Sequence, residues 1–295
     1  MADTTTTTLP ASDRPRDEVR YLECKVILKG ERFTSLESFR AFEKIVRRAA
    51  KDTGVDYEPN ENRPRPSLRE VLFMDTEDFR LYRNAFILRR RMEYQHGFRV
   101  GDPEIVFKYR HPDHEAAAAV DVTPKISGDH VIKFKAEALP LKDKPGGVRI
   151  LYSHNSQFLM SQVEAADKTS VEAVTRILPA LKSLFPESSG HIQLVNHIAV
   201  VEVLQELGTL YFGKGVEAPC NVAVWRTRGD EQQLVGEFSF QCKFKKASDV
   251  QQQQRDLARR FFSRLQTLAE DWLALGVTKT GTVYRLNGNP PQGHE

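Results

Sequence analysis

The chain has 295 residues, 40% of them hydrophobic, with 17 Phe, 8 Tyr and 2 Trp. That is enough apolar material for one large or two small packed domains and too much for a disordered chain. Lys plus Arg number 43 and Asp plus Glu 40, a formal charge of +3, which argues against a polybasic surface that tracks duplex nucleic acid but does not say where the charges sit.

Residues 1–18 are Thr-rich, with no basic segment followed by an apolar one, and read as a disordered tail rather than a signal peptide. A strand is expected over 20–28. The capping box Thr34-Ser-Leu-Glu37, followed by Leu36, Phe39, Phe42 and Val46, predicts a helix ending near Gly54. Strands follow at 71–74, 85–94, 103–111 and 130–139. Residues 140–168, with Lys142, Lys144, Pro145, Gly146 and Gly147, read as a long connection and a candidate hinge. A second helix opens at Thr169-Ser-Val-Glu172, kinks at Pro179 and stops at Pro186. Strands 198–206, 209–213, 220–228 and 234–244 come next. A third helix runs from Ser248-Asp-Val-Gln251 to Gly276, with Gln251–Gln254 as a solvated face, and a last strand covers 278–286. Residues 288–295 form a second tail, leaving 19–287 as one domain. Cys24, Cys220 and Cys242 have no CxxC spacing, which argues against a disulfide framework or a thiolate zinc site, and the eight His form no metal-spaced cluster. No apolar run approaches the roughly 20 residues that span a bilayer. The chain therefore reads as cytoplasmic, without membrane contact.

Alternate residues of a strand face opposite ways. One face of strand 20–28 carries Leu22, Cys24 and Val26, and the other Tyr21, Glu23 and Lys25. Strand 85–94 opposes Phe86, Leu88 and Met92 to Arg89, Arg91 and Glu93. Strand 103–111 opposes Ile105, Phe107 and Tyr109 to Glu104, Lys108 and Arg110. Strand 130–139 opposes Phe134 and Ala136 to Lys133, Lys135 and Glu137. Strand 220–228 sets Trp225 against Arg226 and Arg228, and 234–244 sets Phe238, Phe240 and Cys242 against Glu237 and Ser239. Two architectures give this pattern: an open sheet with its charged face in water, or a closed barrel with a charged lumen and helices on the apolar outside. Three amphipathic helices that need an apolar surface, and the excess of cations on the charged faces, favour an α+β antiparallel barrel of about eight strands. Enclosed cations are costly unless an anion joins them, so such a lumen suits a chain of phosphates.

The segment Leu72-Phe-Met-Asp75-Thr76-Glu-Asp-Phe79-Arg-Leu81-Tyr-Arg-Asn-Ala-Phe-Ile-Leu88-Arg89-Arg-Arg91 resembles the YFDTPDLxLxxxGxxLRxR segment of the CYTH, or triphosphate tunnel metalloenzyme, superfamily. Glu23-Cys-Lys25 resembles the end of its ExExK signature and Phe107-Lys108-Tyr-Arg110 its TLKYR strand. Glu237-Phe-Ser-Phe is similar to a later ExE strand and Thr278-Lys279 to a closing lysine strand. A polyphosphate-polymerase domain shares the FDT…LY signal. The resemblance implies an eight-stranded tunnel barrel that hydrolyses inorganic tripolyphosphate or an organic triphosphate with Mg²⁺ or Mn²⁺. It implies Lys25, Arg89, Arg91, Lys108, Arg110, Arg226, Arg228 and Lys279 as phosphate ligands. Glu23, Glu137 and Glu237 would be metal ligands, and Glu23, Lys25 and Glu237 the catalytic residues. Divalent metals want hard oxygen ligands and arginine matches phosphate geometry.

The chain departs from that pattern in its acids. Tyr21 stands where the first Glu of ExExK is expected and Ser239 where the second Glu of ExE is, with Asp121 and Glu202 as possible substitutes. Cations kept without their metal carboxylates would bind phosphate better than cleave it. The alternatives to a triphosphatase are therefore a non-catalytic protein that binds phosphate, nucleotide or polyphosphate, and a phosphoryl transferase of the polyphosphate-polymerase kind. The expected partner is a small phosphate-rich anion. Asp75 reads as structural, capping the turn that follows it.

Overall fold

The computed structural model describes residues 18–60, 65–165 and 167–287; both stretches read as tails lie outside them, except Glu18. The strands are β1 (Tyr21–Leu28), β2 (Asp56–Pro59), β3 (Ser67–Asp75), β4 (Phe86–Gln95), β5 (Phe98–His111), β6 (Val131–Leu139), β7 (Arg149–Leu159), β8 (Gln193–Tyr211), β9 (Glu217–Thr227) and β10 (Gln233–Lys243). The helices are α1 (Leu36–Thr53), α2 (Arg80–Arg83), α3 (His114–Ala119), α4 (Val171–Ile177), α5 (Gln252–Leu268) and α6 (Lys279–Tyr284). Nine strands close a ring in the order β8-β3-β4-β5-β7-β6-β1-β10-β9, with β9 returning to β8, and β2 hangs on β8 outside it. The β1–β6 pair is parallel and the other ring pairs are antiparallel. The α+β barrel is thus present, with one strand more than expected and a mixed sheet.

The additional strand is β7, inside the stretch read as a connection. Its inward residues Ser153, Asn155 and Gln157 are polar without being charged, and Tyr152 and His154 alternate with them, so the segment lacks an apolar stripe. The expected strand over 278–286 is instead α6. The Thr278 hydroxyl accepts the Gly281 N–H at 3.0 Å and caps it. The expected strands 198–206 and 209–213 are one strand, β8, broken in pattern by Gly208. This residue has φ of 157°, and a Cβ there would lie 2.2 Å from the Glu58 carbonyl oxygen. It marks the bulge where the β8–β9 register shifts between Glu206 and Gly208. The third helix also stops early, at Leu268. Gln254 is buried rather than solvated: it accepts the Gln251 N–H at 2.7 Å and donates to the Gly213 carbonyl at 2.8 Å. Among the described residues no helix is long and apolar enough to cross a membrane.

The outward faces of β1, β9 and β10 are apolar because Cys24, Val26, Val222, Val224, Phe238 and Phe240 alternate with lumen residues. Helices α1 and α5 cover them with Phe39, Phe42, Val46, Phe261, Phe262 and Leu265. The outward faces of β4, β5 and β7 are covered by α4 and the 3₁₀ turn at Pro179–Leu184. One end of the lumen is itself apolar. Inward residues Ile27, Val71, Phe73, Ile87 and Trp225 pack against Val283 and Tyr284 of α6, which plugs that end. Tyr284 stacks on Tyr82 with ring centroids 4.0 Å apart.

Asp75 ties the plug to the motif. Its buried carboxylate accepts N–H groups from Thr76 (2.7 Å), Leu81 (2.9 Å) and Tyr82 (3.0 Å), and the Tyr284 hydroxyl at 3.1 Å. Burial pushes its pKa up to about 6 against these bonds. Asp75→Ala leaves buried N–H donors without an acceptor and is expected to cost roughly 2–4 kcal/mol of unfolding free energy, read by urea denaturation. A loss under about 0.5 kcal/mol would show that the plug does not depend on this carboxylate.

Candidate functional site: a basic tunnel

Strand alternation carries the charged residues inward, because their neighbours on each strand are taken up by the outer core. The lumen holds a cavity of about 230 Å³ that every ring strand and α6 helps to line. Its wall carries nine cations, Lys25, Arg69, Arg89, Arg91, Lys108, Arg110, Lys133, Lys135 and Lys279, against four acids, Glu23, Glu137, Glu202 and Glu237.

The acids are held by cations in two groups. Glu137, 1% exposed, takes Lys108, Arg110 at 3.1 Å and Lys25 at 3.5 Å, and accepts the Ser153 hydroxyl at 2.7 Å. Glu23 faces Lys25 at 3.0 Å and Lys135 at 3.3 Å. Across the lumen Glu202 takes Arg69 at 2.7 Å, Lys279 at 3.4 Å and the Trp225 indole N–H at 2.9 Å. Lys279 also pairs with Glu237 at 2.8 Å and lies 4.8 Å from the Trp225 ring centroid. At the wall's edge Arg91 pairs with Glu104. Two cations have no carboxylate partner among the described residues. Arg89 has a buried Nε without a hydrogen-bond acceptor, and Lys133 donates at 2.8 Å to the neutral Gln157 side chain.

Protonation follows from this layout. Burial works against every charge here. For Glu23 it is outweighed by Lys25 and Lys135, and for Glu202 by Lys279 and Arg69, leaving each carboxyl at about 2. Glu137 lies well below the usual carboxylate range despite its burial, because Arg110, Lys108 and Lys25 surround it. Burial and then Arg91 push Arg89 down to about 10. Burial and the neighbouring Arg110 push Lys108 well down.

The structure places Glu23, Lys25, Arg89, Arg91, Lys108, Arg110, Glu137, Glu237 and Lys279 on the tunnel wall. Arg226 and Arg228 are not there. On β9 the lumen side is the side of Asn221, Ala223 and Trp225, so Arg226 points outward to Glu231 at 3.1 Å, and Arg228 lies past the strand end on Glu70. Trp225 misleads because it is a large apolar residue on the inner face, kept there by Glu202 and Lys279. Arg69 was missed because β3 starts four residues before the expected strand, although Arg69, Val71 and Phe73 already alternate with the outward residues. Of the two possible substitute acids, Glu202 lines the tunnel, whereas Asp121 bonds Thr123 outside it. Lys133, Asn155 and Gln157 complete the wall.

A divalent metal does not fit this donor set. Among the described residues no three acidic, His or Cys side chains gather to hold an ion. Glu23 and Glu137 are register neighbours on β1 and β6, but the Lys25 ammonium lies between them. Glu237 is engaged by Lys279.

Glu137→Gln leaves Lys25, Lys108 and Arg110 without their shared acid and is expected to cost about 3–5 kcal/mol of stability, measured by denaturant unfolding. The depressed carboxyls set the sign of the acid response. The stability from Glu23 and Glu202 is complete above their ordinary pKa of 4.5 and is lost as pH falls toward about 2. Unfolding free energy titrated over that window should drop, and drop less in Glu202→Gln; parallel curves for the two proteins would contradict the pairing.

No family model matches the chain, and no curated protein matches it in sequence. Among solved structures it is similar to a candidate adenylyl cyclase of Hippeastrum described by a dominant triphosphatase activity. The identity is 14%, the match covers 94% of this chain and 100% of that one, and the TM-score is 0.42. It is also similar to a candidate adenylate cyclase of Bacillus halodurans, at 12% identity, 89% and 95% coverage and a TM-score of 0.39. A Pyrococcus horikoshii protein matches at 11% identity, 88% and 96% coverage and a TM-score of 0.35. The closed barrel, the helices outside it, and Arg89 and Arg91 turned into the lumen agree with the tunnel architecture that the resemblance of the Leu72–Arg91 segment implies.

Proposed function

We propose that the tunnel binds a short polyanion of the triphosphate class and holds it through the protein's own cations, without a resident metal. The observation that carries this reading is the excess of nine cations over four acids in the lumen, with Arg89 and Lys133 lacking an ion-pair partner among the described residues. Unpartnered buried cations destabilise an empty site and become affinity when an anion enters. Guanidinium groups at Arg69, Arg89, Arg91 and Arg110 offer forked donors that suit phosphoryl oxygens, and the lysines add point charges. The plug formed by α6 favours a short anion over a long polyphosphate, which would need both ends open. Hydrolysis would require carboxylates free to hold a metal or activate a water, and all four acids are engaged by cations. A binding protein is therefore the better reading than a triphosphatase or a polyphosphate-forming transferase.

Calorimetric titration with tripolyphosphate tests it. Saturable binding is expected with a chelator present, and added Mg²⁺ should weaken it by competing for the anion. Arg89→Gln removes a charge-assisted contact of about 1.5–3 kcal/mol, so affinity should fall roughly 10- to 100-fold. The absence of binding would overturn the reading. Mg²⁺- or Mn²⁺-dependent phosphate release that disappears in Glu23→Gln would replace it with hydrolysis.

Binding should also take up protons. The Lys108 pKa is depressed in the empty tunnel, and a phosphate beside it raises it again, so protons are bound at pH values between the two. Titrations at alkaline pH in buffers of different ionisation enthalpy should show an uptake that is reduced in Lys108→Met. Equal uptake in the variant would assign the proton elsewhere.

A further inference from the structure

A second cavity lies on the other side of the barrel wall, between the outer face of the sheet and the α4 layer, with a volume of about 270 Å³. Small-molecule pockets run from roughly 300 to 1,000 Å³, so it is near the lower end of that class. Its floor is Leu72, Leu88 and Phe158 on β3, β4 and β7, and its roof is Val174 and Ile177 of α4. Met74 and Met160 fill its sides, two of the chain's four methionines. Methionine adapts its shape to an apolar guest and is common at sites that accept flexible chains. The walls give water few partners, so an apolar group is a better occupant than solvent.

The polar residues of the lining are Arg89, whose guanidinium belongs to the tunnel wall, and Arg90, Lys168 and Thr169. Arg90 faces outward because Arg89 and Arg91 face the tunnel. Its head meets Glu70 at 3.3 Å, an acid it shares with Arg228, and its buried Nε has no acceptor. Among the described residues, the exposed Lys168 ammonium donates to the Met160 carbonyl at 3.2 Å and has no carboxylate partner. The acid beside this edge, Asp167, is already engaged by the Thr169 N–H and hydroxyl and by His191.

From this pairing of an apolar chamber with a cationic mouth, we propose that the cavity binds a free single-chain amphiphile with an anionic head, such as a medium-chain acyl carboxylate. The acyl chain lies between β4 and α4, and the carboxylate accepts from Arg90 and Lys168. This site lies on the opposite side of the sheet from the tunnel, although β4 supplies both: Leu88 and Arg90 to the cavity, Arg91 to the lumen, and Arg89 to the lining of each.

Decanoate, titrated calorimetrically below its micelle concentration into the full chain, is the probe. One-to-one binding is expected, with decanol at least fivefold weaker and decyltrimethylammonium showing no saturable binding. Lys168→Glu should weaken decanoate at least fivefold while leaving the melting temperature within a degree or two. Ile177→Trp, or Val174→Phe should the first variant not fold, fills the chamber and should abolish decanoate binding while tripolyphosphate still binds. The proposal fails if decanoate shows no saturable binding, if decyltrimethylammonium binds as tightly, or if a folded chamber-filling variant binds decanoate unchanged. Loss of tripolyphosphate binding with decanoate binding intact would sink only the tunnel reading.

Discussion

The barrel depends on one carboxylate that lets cations stand inside it. Glu137 sits on β6 and takes Lys25 from β1, Lys108 and Arg110 from β5, and the Ser153 hydroxyl from β7. Four strands are thereby joined through side chains as well as through backbone bonds. Desolvating several ammonium and guanidinium groups costs several kcal/mol apiece unless an opposite charge meets them. Glu137 and Glu23 on one side, and Glu202 and Glu237 on the other, meet most of that cost. Arg89 and Lys133 are the part left without an ion pair among the described residues, and under the proposed function they are where an incoming anion would gain most.

This division also separates structural from ligand-binding carboxylates. In a metal-assisted site the acids point at a shared ion and the basic residues at the phosphates. Here the two kinds of residue point at each other. Tyr21 and Ser239 stand where acids were expected, and the missing carboxylates leave the lumen's cations in excess. Tyr21 instead lies 5.7 Å from the Lys135 ammonium, offering it an aromatic face rather than a charge.

Much of this was legible from period-two alternation alone. Strands β1, β4, β5, β6 and β10 each show an apolar face and a charged face in sequence, and in each the charged face is the inner one. The closing of the sheet could be inferred because the helices needed an apolar exterior to cover. What escaped was wherever the inner face was not charged. On β7 the inward residues are Asn155 and Gln157, which line the lumen, and Ser153, which bonds Glu137; all are polar without charge, so no contrast marks the strand. On β9 the inner residue Trp225 is as apolar as the outer Val222 and Val224, which reversed the assignment of Arg226. On α6 the β-branched run Thr278, Thr280, Thr282 and Val283 reads as strand, and tertiary packing of Val283 and Tyr284 against the lumen end overrides that propensity.

The ring order has a consequence for the timing of folding. Strand β1 reaches the ring through β10, some two hundred residues later, and through its parallel partner β6. Contacts so distant along the chain are slow to form, because loop-closure entropy is spent before they are made. Until β10 has been made and docked, Lys25 and Glu23 have only one neighbouring strand and the lumen is an open, hydrated groove. On the proposed reading, an anion that gathers these cations before closure would also template the barrel, which couples binding to folding.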